Sequence, residues 1–379
     1  MQTPWIPDRQ LAKALERNEA YWRGELEDGP LLWVTAPGVK PGKPLPPPAC
    51  EDELWTNVDY VISEAENQLS RMHFAGDSLP FHNPWLGPDQ FAAWLGADLT
   101  LRPKDYTSWV KPFVEDWDEH PSFRIQPENR WWRLYLQTLR ESVRAGKGKW
   151  VTTFPDLHTG IDALSAIRSP QRLLVDLVLN PEPIRRAMAQ MTALWRDIVD
   201  LVTPILLSEG QGSTNWTGGW SSGQFVCIGQ NDFTCMISPE MFDEFCLEDT
   251  VACVDHVEHS LYHLDGPEAI RHLPRILEIE KLHTVQWVHG NGRPPHSHWI
   301  DLLKQIQSAG KSVQVWYNLH YTTEVVNAFD DVALLCAELD PKRLFIGADV
   351  ASADEADALV NHALRVSRSK QPTRRVSMS

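Results

Sequence analysis

Short runs rich in Val, Ile, Trp and Tyr recur along the second half of the chain, separated by stretches with an apolar residue every three or four positions. The runs are KWVTTFP (149–155), FVCIGQ (225–230), SLYHLDG (260–266), TVQWVHG (284–290), SVQVWYN (312–318) and LFIGADV (344–350). They show little apolar–polar alternation, which predicts parallel strands buried on both faces. The stretches between them, such as WIDLLKQIQSAG and ADEADALVNHALRV, carry the 3.6-residue period of amphipathic helices. Ser238-Pro239-Glu240 predicts a helix start, with Ser as the cap and Pro at the first position. Gly310 predicts the end of another.

The first 148 residues are less regular. They predict a helix over 9–24, a strand LLWVTAP (31–37), a Pro-rich loop, and helices over 51–71 and 128–145. An open doubly wound sheet would give the same alternation, but no G-x-G-x-x-G follows any run, and the Gly-rich stretch Gly212–Gly223 has neither that spacing nor a P-loop Lys. The expected fold is α/β, a (β/α)8 TIM barrel with an N-terminal extension. Residues 1–365 are expected to form one domain, and 366–379 a basic, polar, disordered tail.

Charge and composition narrow the function. The formal net charge of −16 makes a nucleic-acid surface a poor expectation. The N-terminus lacks the pattern of a secretory signal, and no window holds 18 uninterrupted apolar residues, so no membrane span and a cytoplasmic location are expected. Six scattered cysteines without a C-x-x-C pair read as reduced thiols. The 17 Trp have two readings, core filling or an aromatic pocket, and composition does not choose between them.

In a barrel the chemistry sits where strands end. The strand ends here offer Asp156 and His158, His263 and Asp265, Trp287 and His289, Trp316, Tyr317 and Asn318, and Asp349. Asp156 and Asp349 have a plain alternative as helix caps. His263 and Asp265, two apart on one strand, point to the same side, where each tunes the other or both share a ligand. For metal, His256, His259 and His263, and His296 with His298, form no H-E-x-x-H, and no cysteines lie close together. A G-x-S-x-G nucleophile elbow is also absent.

Several blocks resemble the uroporphyrinogen decarboxylase superfamily, which includes cobalamin-dependent methyltransferases. They are ERNEAYWRGELEDGPLLWVTAP, FAGDSLPFHNPWLGPDQFAAWLGADL, PDLHTGIDALSAIRSPQRLLVDLVLNPEPI, QNDFTCMISPEMFDEF, SLYHLDGPEAI and LFIGADV, in order along nearly the whole chain. The resemblance implies methyl transfer or demethylation of a small molecule with a corrinoid protein as partner. It makes Asp77 the counterpart of the decarboxylases' carboxylate, but their N-terminal arginine-rich motif is missing. The methyltransferases' zinc ligands His-x-Cys read His263-Leu264-Asp265 here, so a usual Cys-based zinc site is not expected. A metal, if any, is best expected at His263 and Asp265.

The roles that follow are Asp77, Asp232 and Asp265 as polar anchors or acid/base groups, and His263 as base or ligand. Trp216, Trp287 and Trp316 are expected as pocket walls, with Asp156, His158, His289 and Tyr317 contacting substrate. A homodimer is implied by analogy alone. Two other readings stay open: a decarboxylase or lyase acting on a small acid without cofactor, and a non-catalytic or other-class barrel such as a glycosidase.

Overall fold

The computed structural model describes residues 1–38, 45–290, 292–318 and 328–370. Strands β1 (Leu31–Pro37), β2 (Met72–Gly76), β3 (Phe81–His82), β4 (Asp98–Arg102), β5 (Thr107–Lys111) and β6 (Val151–Thr152) occupy the first half. Strands β7 (Phe225–Gly229), β8 (His259–Asp265), β9 (Thr284–Val288), β10 (Ser312–Asn318) and β11 (Leu344–Asp349) follow, each separated from the next by helix. The apolar runs from 225 onward thus become strands within a residue or two of their expected limits, and β1 and β10 match theirs.

One seven-stranded sheet carries the architecture, in the order β2-β1-β11-β10-β9-β8-β7. Every pair in it is parallel except β1 with β2. The fold is therefore mixed α/β with a mostly parallel central sheet. Strands β3 and β6 form a separate parallel pair, and β4 and β5 an antiparallel hairpin. Seven strands form this continuous ladder, and no pairing between β7 and β2 closes it among the described residues. The run at 149–155 pairs as a strand over only two residues, because beyond Thr153 its backbone leaves the ladder and its loop delivers Asp156 and His158.

Period-two alternation decides what each strand residue touches. Trp287 points toward the helices and meets Trp299 edge-on at 5.0 Å between ring centres. Tyr317 does the same, donating its hydroxyl to Asp331 on the helix Ala328–Glu338. Their neighbours Gln286 and Trp316 face the opposite side. Fully buried Trp33, Trp94, Trp150, Trp195 and Trp287 show that much of the tryptophan content is framework. Each such side chain contributes roughly 1.5–3 kcal/mol by burial.

The helix Asp8–Trp22 caps the start of the parallel strands. Tyr21 shares a hydrogen bond with Thr284 at the first position of β9, and Trp22 donates to the backbone oxygen of Trp220. Asn18 accepts from the Trp220 amide and donates to the backbone oxygen of Asp77. The Gly-rich stretch singled out by sequence packs against the sheet. Gly218, at φ +77°, lies against Trp316 and Trp33, and Gly219, at φ +86°, against Phe345 and Phe225. The final helix, Ala353–Lys370, runs five residues into the stretch expected as tail; residues 371–379, and 39–44 of the Pro-rich loop, lie outside the described residues. No helix among the described residues is long and apolar enough to cross a membrane.

His82, at the end of β3, is half-buried beside Ser142, and its removal from water pushes its pKa down to about 4. A base with a depressed folded pKa is neutral in the fold yet protonates in the unfolded chain, so its contribution is lost as pH falls below about 6.5. Relative to His82→Gln, the native protein should therefore lose about 1.4 kcal/mol per pH unit between pH 6.5 and 4. Urea midpoints of both proteins across that range measure the difference, and parallel curves would refute the assignment.

Candidate functional site

The carboxyl-terminal ends of consecutive strands bring together groups from four stretches of sequence. After β6 come Asp156 and His158, and the first turn of the helix Gly160–Arg168 adds Asp162. After β7 comes Asp232, and the end of β8 supplies His263 and Asp265. His158, Asp162 and Asp232 offer ligand atoms all within 4.8 Å of one another, as do Asp232, His263 and Asp265. Asp232 belongs to both groups.

Local structure fixes each of these side chains. Asn231 takes a left-handed conformation (φ 36°), which Asn tolerates better than most residues, and its amide donates to Thr250 Oγ1 at 3.3 Å. That turn aims Asp232 inward. Asp162 accepts the backbone N–H of Asp232 at 3.0 Å and of Phe233 at 2.8 Å, tying the two loops together. Gln90 donates to the backbone oxygen of Asp156 and holds that loop from behind. His263 Nδ1 hydrogen-bonds Gln286 Oε1 on β9, which places the proton on Nδ1 and leaves Nε2 as the electron-pair donor.

Burial and like charge dominate the electrostatics. Asp232 is pushed up to about 9, first by burial and then by the carboxylates of Asp162, Asp265 and Asp156. Burial likewise raises Asp156 and Asp162, with His158 pulling both back. Burial lowers His263, so its imidazole is neutral. Oδ1 of Asp156 and Oδ1 of Asp232 are buried without a hydrogen-bond partner. Buried carboxylates in such number need protons or cations.

The walls are partly those expected. Trp216 stands edge-on to His263, 5.2 Å between ring centres. Trp316 faces the same side as Gln314, packs on Gly218 and donates its Nε1 to Asp349 at 2.9 Å. Asp349 also accepts from Thr35, so it is engaged in the frame of the sheet. A Cβ at Gly347 would lie 2.0 Å from the Trp316 ring, so only Gly leaves room for that wall. Gly347→Ala should displace Trp316, cost about 1–3 kcal/mol and shift the tryptophan emission; unchanged stability and emission would show that the ring has other room.

No protein-family model matches the chain, and no curated protein does. A solved structure shares its fold. It is a methyltransferase from Methanosarcina mazei, with a TM-score of 0.58 over 92% of this chain and 98% of that one, at 13% sequence identity. The likeness is one of fold.

Four expected residues stand elsewhere. Asp77 lies by the first residues of β1, the end opposite to His263 and Asp265 on parallel β8. There it accepts from Arg17 at 2.8 Å and from the Leu32 amide at 2.8 Å. Trp287 and Tyr317 point outward to the helices. His289 donates to the backbone oxygen of its neighbour Gly290 and stacks edge-on against His296, apart from the carboxylates. The helical His256 pairs with Asp200 on the surface.

Sequence reasoning missed Asp162, Gln230 and Gln286. Gln286 was legible in principle, since it alternates with the outward Trp287. The fit for a thiolate zinc centre is poor, because no cysteine belongs to either ligand group among the described residues.

Proposed function

We propose that this protein is a methyl-transfer enzyme that removes a methyl group from a small compound at the Asp232 centre and passes it to a corrinoid held by a partner protein. The observation that carries this reading is the meeting of Asp232, His263 and Asp265 at the ends of β7 and β8, walled by Trp216. The fold shared with a methyltransferase over 92% of the chain supports it. The parallel order, together with the links from β7 through Ser213 and Thr214 to β6 and β3, supports closure of the sheet as a (β/α)8 barrel of the uroporphyrinogen decarboxylase kind.

Demethylation breaks a bond between carbon and a heteroatom, and the heteroatom keeps the electron pair. A divalent cation at His263, Asp232 and Asp265 would stabilise that developing charge. A nitrogen and carboxylate donor set suits Mn²⁺, Fe²⁺, Co²⁺ or Zn²⁺. Gln286 holds His263 in the tautomer that offers Nε2, and Trp216 excludes water from that side. Decarboxylation of a small acid has less support, since the gathered groups include four carboxylates, which repel an anion.

The test supplies metal-loaded protein with cob(I)alamin and methylated amines, ethers and thioethers in turn. Growth of the methylcobalamin spectrum with one class, lost in His263→Ala, is expected. No growth with any class, or growth unaffected by that substitution, would reject the proposal.

A further inference from the structure

We infer that the centre takes two divalent cations, the second held by His158, Asp162 and Asp232, with the Asp232 carboxylate bridging it to the first. The inference deepens the proposed function, since it rests on the first cation at Asp232, His263 and Asp265.

Geometry supports it first. Each group of three places its ligand atoms within 4.8 Å of one another, the span that one ion's coordination sphere covers, and Asp232 is common to both. A carboxylate has two oxygens and can give one to each ion, as in sites where two cations lie about 3.5–4 Å apart. Asp162 is preset for the role. The two backbone N–H groups of residues 232 and 233 hold it in place while each oxygen keeps lone-pair capacity. A cation here takes His158 Nδ1, 3.9 Å from Asp162 Oδ2, which puts the ring proton on Nε2, and the Gln230 side-chain amide, 3.0 Å away, then turns its oxygen to accept it.

A second, independent observation points to a missing partner. Asp156 is only 7% exposed, yet its Oδ1 has no hydrogen bond and lies 3.9 Å from His158 Nε2. Gln230 bonds the carboxyl elsewhere, and Oδ1 stays open toward His158. A buried carboxylate oxygen without a donor is costly, and such groups are paired or coordinate metal.

Charge balance agrees. The four carboxyl groups of Asp156, Asp162, Asp232 and Asp265 can supply four negative charges, which two dications match and one does not. The donor set, with one imidazole per ion and carboxylates otherwise, suits Mn²⁺ better than Mg²⁺ or Ca²⁺.

Metal-free full-length protein titrated with Mn²⁺, with bound metal counted after equilibrium dialysis, tests the inference. Two equivalents are expected, and the electron paramagnetic resonance of the doubly loaded protein should be weaker than that of two isolated Mn²⁺ ions. Asp162→Asn and His158→Gln should each bind one equivalent. The second variant alters no backbone hydrogen bond and guards against misfolding in the first. His263→Ala should also bind one, at the other position. Saturation of the native protein at one equivalent, or two equivalents retained in both Asp162→Asn and His158→Gln, overturns the inference. Methyl transfer by a protein that binds one ion would remove only the second site. Two ions bound without methyl transfer would remove only the proposed reaction.

Discussion

Asp232→Asn is expected to abolish methyl transfer while making the metal-free protein more stable. The native carboxyl, pushed up to about 9, keeps its proton in the fold at neutral pH but loses it on unfolding. An acid with a raised folded pKa costs stability that grows as pH rises from about 4 through 9. At pH 7 the cost approaches about 4 kcal/mol, and an uncharged Asn avoids it. The gain should shrink toward zero at pH 4, which separates it from a packing effect. Activity should fall on the order of 10²–10³-fold or more, as when a group that stabilises developing charge is removed. Thermal melts at pH 5, 7 and 8 beside the cobalamin assay measure both sides. Equal stability at every pH would contradict the electrostatic account, and retained activity the functional one.

The second large effect lies at the other end of the sheet. Arg17→Met should leave Asp77 buried and without its cation, against the burial that already raises its pKa. Removing one partner of a buried pair costs about 3–5 kcal/mol. Arg17 also donates to the backbone oxygen of Pro30, which loses its partner as well. The melting temperature should drop by several degrees or more, yet turnover per folded molecule should not change, because neither residue reaches the Asp232 centre. A variant that melts normally but turns over slowly would return Asp77 to the chemistry.

These two predictions mark where sequence was informative. The strands were legible because Val, Ile, Trp and Tyr concentrate in short runs, and the β10 and β1 limits follow from that alone. His263 and Asp265 were legible as a pair because two residues apart on a strand means one face. The face itself was not. Trp287 and Tyr317 sit beside Gln286 and Trp316, and a shift of one residue reverses inside and outside. Deciding between them needs the register of neighbouring strands, which no single run contains. Asp162 was hidden for another reason. An acid in the first turn of a helix is favoured by the helix dipole, so it reads as ordinary helix chemistry until the loop at Asp232 is seen to fold onto it. Asp77 was chosen by resemblance, and its partner Arg17 lies 60 residues away.

The helix Asp8–Trp22 also bears on how the chain reaches this state. Tyr21 bonds a residue 263 positions later, and its ring meets Phe345 on the last strand of the sheet. The helix leaves the ribosome well before these partners do. Until then Tyr21 and Trp22 stay uncovered, and closing so long a loop makes docking slow. Refolding should show its final tryptophan fluorescence change when this helix seats, after the sheet has formed.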